Sequence, residues 1–249
     1  MDEVKSHNLL LQAGEILTRL RTQKPHVHAM TNPVAQTLSA NALLALGVSP
    51  SMTSDRDESA DFIRHAQATL ANLGMLDSVR RDALEASSFL FGKWVLDPVK
   101  IDISLRRLSL AQKLIQAKPT IIKLNTAEAS MLFYGKKPTE YAFENKLVVA
   151  ITGAQDTVTD GTNTCAILNG HSYMSQSTAI GCVAGAIVTA CLAVEKDAYM
   201  ATIAGLVITG IAGEIGAQKA HGSGTFPAAF IDALFHLTPE QILAQGRIA

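Results

Sequence analysis

The run Ser177-Thr178-Ala179-Ile180-Gly181-Cys182 leads directly into Val183-Ala184-Gly185-Ala186-Ile187-Val188, a string of small and apolar residues. A short glycine-bearing turn feeding a helix presents unpaired backbone N–H groups and the positive end of the helix dipole, which together attract an anion. Cys182 stands at the mouth of that helix, where a thiolate is stabilised and a transferring phosphoryl group could be held. Close packing of a buried helix through its small residues explains the same stretch equally well. The choice between the two rests on the other polar residues of the chain.

Those residues collect where apolar runs stop. Thr31 and Asn32 follow one run, Asn72 and Gly74 end another, Asp97 ends Trp94-Val95-Leu96, Asn125 and Glu128 follow Ile121–Leu124, and Thr152 and Gly153 follow Leu147–Ile151. In an open α/β sheet, ligands bind beyond the carboxyl ends of the strands. Asp97 and Glu128 would then be carboxylates on adjacent strand ends, a pair that can hold Mg²⁺ through waters when substrate phosphates complete its octahedron. Taken singly, each has a plainer reading. Glu128 caps its own helix, Asp97 begins a turn before Pro98, and Asn32 caps a helix with Pro33 in its first turn. His26 and His28 would share one strand face, but two imidazoles alone are a weak metal signal. No G-x-x-x-x-G-K-[ST] sequence occurs and no G-x-G-x-x-G follows a strand. Gly222-Ser223-Gly224 reads as a link between two helices.

The elements that must position these residues follow from periodicity. Residues 4–22 have apolar positions at helical spacing. Strands are expected at 26–30, 48–54, 68–73, 94–98, 120–124 and 147–152, with helices at 34–46, 55 onward, 77–87 and 104–117 and one capped by Asn125 or Thr126. Gly47 would close the 34–46 helix. This alternation predicts βαβ units and a central, mostly parallel sheet flanked by helices. Asp160-Gly161 signals a hairpin, with short antiparallel strands at Thr164–Leu168 and Ser172–Met174. Beyond Cys182 the chain reads as helical almost to its end. No repeat, low-complexity segment or linker interrupts it, so residues 1–249 are expected to form one domain.

Composition narrows the function classes. The formal net charge is −1 and no basic block appears, so neither a nucleic-acid nor an anionic-membrane partner is expected. Cys165, Cys182 and Cys191 form no C-x-x-C pair and cannot all be bridged within one chain, which points to a reducing compartment. The polar start Met1–Ser6 has no apolar signal core behind it, and Ala179–Val194 and Met200–Gly213 fall short of a membrane span. A soluble cytoplasmic protein is expected.

Several ordered blocks then resemble the hydroxyethylthiazole kinase family of the ribokinase-like superfamily, over nearly the full chain. They are Val27–Asn32, Ala40–Gly47 with Ser49–Met52, Leu96–Val99, Asn125–Glu128, Val149–Gly153, Gly181-Cys182, Gly224–Phe226 and Phe230–Leu234. The resemblance implies a three-layer ribokinase-like fold and transfer of the ATP γ-phosphate to the hydroxyl of 4-methyl-5-(2-hydroxyethyl)thiazole in thiamine salvage, with Mg²⁺. It also implies a homotrimer with sites between neighbouring subunits. By this resemblance Met52, Asn32, Gly74 and Ala179 bind substrate, and Lys123, Thr152 and Arg107 bind ATP. Asp97 and Glu128 are the metal-linked acids. Ile180, Gly181 and Cys182 form the catalytic turn, where Cys182 replaces an aspartate of other ribokinase-like enzymes.

The chain departs from the family pattern at the nucleotide end. The T-G-T-G-C turn has Ala179 for a glycine and Ile180 for a hydroxyl residue, so Ala179 is expected to require a negative φ. An R-G-N sequence appears as Lys123-Leu124-Asn125, which keeps the charge without the bidentate fork. The loop after Val99 is Lys100-Ile101-Asp102 instead of glycine-rich, and about a helix's length is missing between Met131 and Leu147. Other readings therefore stand beside the thiazole kinase. They are a weakened relative that only binds thiazole or nucleotide, a kinase for another small alcohol, and a cysteine hydrolase pairing Cys182 with His171 or His221.

Overall fold

A computed structural model describes residues 3–249. Eight strands form one sheet: β1 His26–Met30, β2 Ser49–Ser51, β3 Ala68–Asn72, β4 Trp94–Asp97, β5 Ile121–Asn125, β6 Val148–Thr152, β7 Asp156–Thr159 and β8 Thr164–Ile167. Their spatial order is β2-β1-β3-β4-β5-β6-β7-β8. The pairs from β2 to β6 are parallel, and β7 and β8 add an antiparallel edge. The order reverses between β1 and β3, which opens a crevice there at the carboxyl ends of the strands.

Because alternate side chains leave opposite faces of a strand, each central strand feeds two cores. Val27, Leu70, Val95 and Ile121 join one cluster with the helices Glu3–Gln23, Ile180–Val194, Ala198–Lys219 and Phe226–His236. Ala71, Leu96, Ile122 and Val149 join the other, with the helices Ser78–Ser87, Leu105–Ile115 and Thr126–Phe133. The result is three layers, helix on sheet on helix. The apolar runs of the sequence are apolar because both faces of these strands are covered.

Four expectations need correction. Ser172–Met174 is not a strand: Ser172 precedes the short helix Tyr173–Gln176. The outer edge of β8 is taken instead by the segment 247–249, where Leu168 N–H donates to Arg247 O and Ala166 N–H to Ala249 O. The strand expected at 48–54 shortens to Ser49–Ser51, and the helix expected from Val34 begins at Gln36 after a turn at 33–35. The apolar run around Met200–Gly213 belongs to a 22-residue helix, Ala198–Lys219, long and apolar enough to span a membrane by length and composition. Of its most apolar window, 83% is buried inside the fold. The segment between Met131 and Leu147 retains a short helix of its own, Pro138–Asn145.

The two helices that carry and back the Cys182 turn pack closely because glycine lets them. A Cβ on Gly205 would lie 2.7 Å from Val188 Cα and 3.0 Å from Val188 N, which are backbone atoms of the helix Ile180–Val194. In Gly205→Ala the helix-propensity gain of about 1 kcal/mol is outweighed by an overpacking strain of about 1–3 kcal/mol. The expected outcome is a lower urea midpoint at unchanged slope; a raised midpoint would show that the two helices can separate freely.

Candidate functional site

At the crevice between β1 and β3, a chain of buried polar groups crosses four strand ends. Asn32 Nδ2 donates to Asn72 Oδ1 at 3.0 Å, Asn72 Nδ2 donates to Asp97 Oδ2 at 2.8 Å, and Lys123 Nζ donates to Asp97 Oδ1 at 3.2 Å. Asn32, Asn72, Asp97 and Lys123 are all buried. Asn32 also does the local work expected of it, since its Oδ1 accepts from Ala35 N–H at 3.1 Å in the turn that starts the next helix. Capping and site-building are one role here. Gly74 belongs to the same cluster: its N–H donates to Asn72 Oδ1, and a Cβ there would lie 2.7 Å from Asn32 Nδ2.

Cys182 joins this chain from above. Asn32 Nδ2 lies 3.4 Å from its sulfur, and the Asn72 amide, bonded to Asn32, stands close enough to favour its anion slightly. Burial pushes the thiol above its ordinary pKa and Asp97 adds to the rise, while Lys123 and the two amides oppose it. The helix mouth therefore holds a neutral thiol, and the thiolate expected from the sequence is overruled by desolvation and by Asp97. No histidine is among the groups acting on the sulfur. The general-base arrangement that a cysteine hydrolase needs is not formed.

Lys123 and Asp97 form a buried ion pair. Burial pulls the Lys123 ammonium down, but the Asp97 and Glu128 carboxylates more than reverse this and keep it charged. Burial pushes the Asp97 carboxyl up against the pull of Lys123. Glu128 is fully committed to backbone: Oε2 accepts from Asn125 N–H at 2.8 Å in a capping box, and Oε1 from Lys100 N–H at 2.7 Å. No cluster of three metal-ligating side chains occurs among the described residues. With all four carboxylate oxygens already accepting hydrogen bonds, Asp97 and Glu128 fit a hydrated Mg²⁺ carried on phosphates. They do not make a protein cage for a bare ion.

The turn that precedes the helix Ile180–Val194 is strained and uncapped. Ala179 adopts φ +71°, in the left-handed region, although its type led to the opposite expectation. No side chain caps the helix, and Val183 N–H is the first donor of the helix to reach an acceptor, Ala179 O at 2.9 Å. The N–H groups of Ile180, Gly181 and Cys182 are thus the unpaired ones. The Ile180 side chain is buried in the core, and Gly181 has open space where a Cβ would stand. One turn further on, Gly185 lets the helix settle against Asp97: a Cβ there would lie 3.0 Å from Asp97 Oδ2.

These N–H groups border a cleft of about 1020 Å³ lined by Lys123, Thr152, Ala179, Ile180 and Gly181, and by residues of the 169–178 segment. Two further lining residues, Lys100 and Asp156, escaped the sequence reading. Burial pushes the Asp156 carboxyl up, and its Oδ1 accepts from Gly153 N–H. Arg107 does not line this cleft. Its Nη1 donates to Val99 O, and it faces a groove between the helices Ser78–Ser87 and Leu105–Ile115. Met52 also lies elsewhere, half-buried against the core beside β2. Next to it, Ser51 Oγ is shared by His26 Nε2 and His28 Nδ1 at 2.7 and 2.8 Å, and burial together with His26 pushes His28 down to about 4. These imidazoles serve the strand pairing.

The model of the hydroxyethylthiazole kinase family matches residues 17–139 and 136–240. The chain belongs to the hydroxyethylthiazole kinase family. A probable hydroxyethylthiazole kinase of Agrobacterium fabrum is 39% identical over 95% of this chain and 94% of its own length. A hydroxyethylthiazole kinase of Granulibacter bethesdensis is 40% identical over 89% of each. The solved hydroxyethylthiazole kinase protein of Pyrococcus horikoshii superposes with a TM-score of 0.89 at 34% identity, covering 95% of this chain and 98% of that one. A ribokinase-like superfamily protein of Enterococcus faecalis shares the fold alone, with a TM-score of 0.64 at 12% identity over 88% and 94% of the two chains. Hydroxyethylthiazole kinases are phosphotransferases, so the uncapped turn and its neighbouring cation meet the chemistry of the family at the expected end of the sheet.

Two substitutions probe this geometry. Relieving the left-handed alanine in Ala179→Gly removes about 1–2 kcal/mol of strain and adds about 0.4–1 kcal/mol of unfolded-state entropy. The expected net is a stabilisation of roughly 0.5–1 kcal/mol by urea denaturation; destabilisation would contradict the strain. In Gly74→Ala the added methyl meets Asn32 and Asn72, so turnover is expected to fall by at least about tenfold. Retained turnover in a steady-state assay would show that the amide chain has slack.

Proposed function

We propose that this chain transfers the γ-phosphoryl group of ATP to the hydroxyl of 4-methyl-5-(2-hydroxyethyl)thiazole, as in thiamine salvage. The observation that carries the reading is the uncapped helix start at Ile180–Cys182. Its first residues, Ile180 and Gly181, line the large cleft together with Lys123, and the Cys182 thiol follows beside Asn32. Phosphoryl transfer asks the protein mainly for positioning and charge stabilisation. The N–H groups of Ile180, Gly181 and Cys182 would receive the charge that develops on the transferring phosphoryl oxygens. Lys123 and Thr152 would face the nucleotide, and Lys100 adds a second cation to the same cleft.

Mg²⁺ bound to ATP would neutralise phosphate charge, with Asp97 and Glu128 accepting hydrogen bonds from its waters. Cys182 would orient the substrate hydroxyl as a neutral hydrogen-bonding group, because its burial beside Asp97 disfavours the thiolate. Asn32 and Gly74 would border the acceptor alcohol at the β1–β3 crevice, beside Ala179. Met52, remote from the cleft within one chain, would reach an acceptor only across a subunit boundary, which fits a homotrimer with shared sites. Three free cysteines suit a reducing compartment such as the cytoplasm. One domain covering 1–249 is the simplest organisation.

The direct test is ADP release from Mg·ATP with the thiazole alcohol, run beside Cys182→Ala and the double variant Ala179→Gly, Ile180→Thr. Wild-type turnover is expected, with Cys182→Ala lowering it by no more than about a hundredfold since a neutral orienter contributes less than a general base. An inert wild type revived by the double variant would mark a relative retained for binding, and preference for another alcohol would reassign the substrate.

The thiol gives a pH signature of its own. A pKa above the ordinary cysteine value leaves the thiolate a minor species at neutral pH, so iodoacetamide should modify Cys182 slowly at pH 7. The rate should still be climbing where a free cysteine has levelled off. Rapid labelling at neutral pH would mean that the thiolate is stabilised after all.

A further inference from the structure

Arg80 is a buried cation that the phosphoryl-transfer chemistry above does not use. It sits on the helix Ser78–Ser87, 5% exposed, just beyond the end of β3. Its guanidinium spans the backbone of the turn that leaves the strand. Nη2 donates to Asn72 O at 2.7 Å, and Nη1 donates to both Gly74 O and Met75 O. Among the described residues no carboxylate lies within ion-pair distance of it. Its buried Nε has no hydrogen-bond partner. Burial pulls the guanidinium down and Asp77, beyond ion-pair distance, offsets only part of this, so a surface-like role such as solubility does not account for it.

The turn that it grips is strained and closed from the other side by the site itself. Met75 has φ +43°, unfavourable for a residue with a Cβ. Gly74 N–H donates to Asn72 Oδ1, and that same oxygen accepts from Asn32. Arg80 therefore holds the carbonyls of a loop whose N–H and side-chain groups build the active centre. Asn72 is the link in the crevice between Asp97, to which its Nδ2 donates, and Asn32, whose Nδ2 reaches both Asn72 Oδ1 and the Cys182 thiol.

We propose that Arg80 is a positioning residue of the phosphoryl-transfer site: its fork locks the Asn72–Met75 turn and so holds the Asn72 amide between Asp97 and Asn32, the residue that reaches the Cys182 thiol. The role rests on the kinase reading. It requires the fork and not the charge alone, because two separate Nη atoms reach the Asn72 carbonyl on one side and the Gly74 and Met75 carbonyls on the other, a span that a single ammonium nitrogen does not bridge. Loss of the fork misplaces groups at the reacting centre, a displacement to which transfer rates are steeply sensitive.

The test compares wild type, Arg80→Lys and Arg80→Ala in the ADP-release assay, with thermal melts on the same samples. In Arg80→Lys, kcat is expected to fall by about tenfold or more while KM for ATP stays within about twofold, since Lys123, Thr152 and Lys100 line the ATP cleft and Arg80 does not. Free guanidinium at low millimolar concentration is expected to raise the kcat of Arg80→Ala severalfold and to leave wild type unchanged. A scaffold role without positioning would instead lower the melting temperature and leave kcat per folded molecule intact. A folded Arg80→Lys with wild-type kcat overturns the proposal, whether or not Arg80→Ala folds. Absence of turnover in wild type would refute the kinase reading and is distinguished by that control.

Discussion

The buried pair between Lys123 and Asp97 is the interaction around which the centre is arranged. An isolated charge in such a place would be intolerable, and an ion pair is tolerated only when its remaining hydrogen-bonding capacity is filled. Asp97 spends one oxygen on the ammonium and the other on Asn72. Asn72 in turn needs Asn32 and the Gly74 amide to satisfy its carbonyl. Each demand recruits the next strand end, and the recruited groups are those that border the crevice where the strand order reverses. Satisfying the polar interior and assembling the site are one problem with one solution.

The same economy explains the thiol. A cysteine at a helix N-terminus is usually read as activated, because the dipole favours its anion. Here the carboxylate beneath it and the loss of solvent act in the opposite sense and prevail. The helix start keeps its favourable potential for an incoming oxyanion. A neutral thiol leaves that potential unspent, which suits an enzyme whose substrate brings the negative charge.

Much of this was legible in the residues. Strands covered on both faces are largely apolar, so Ala29–Met30, Leu70–Ala71 and Ile121–Ile122 read as a two-faced sheet, and the polar residues closing each run mark one edge of it. The short alternation at Ser172–Met174 was too brief to separate a strand from a helical turn. The β8 edge it seemed to supply is paired by residues 247–249, a long-range choice that no local pattern records. The left-handed Ala179 was illegible for a related reason: residue type prefers one basin, and the helix and cleft on either side impose another. Arg107 and Met52 carry motif positions, yet their placement within the chain depends on neighbouring loops. Arg80 carried no motif; its meaning lies in three carbonyls brought around it by the turn.

Gly185, on which the helix Ile180–Val194 settles against Asp97, also fixes a length. The donors at Ile180–Cys182 and the point resting on the carboxylate belong to one rigid helix, and Gly181 and Gly185 are separated by about 6 Å of its axis. That interval is set by the pitch of the helix and not by any loop. The helix serves as a ruler between the unpaired N–H groups and the carboxylate end of the centre. Loops around the cleft can change length and sequence without altering this distance.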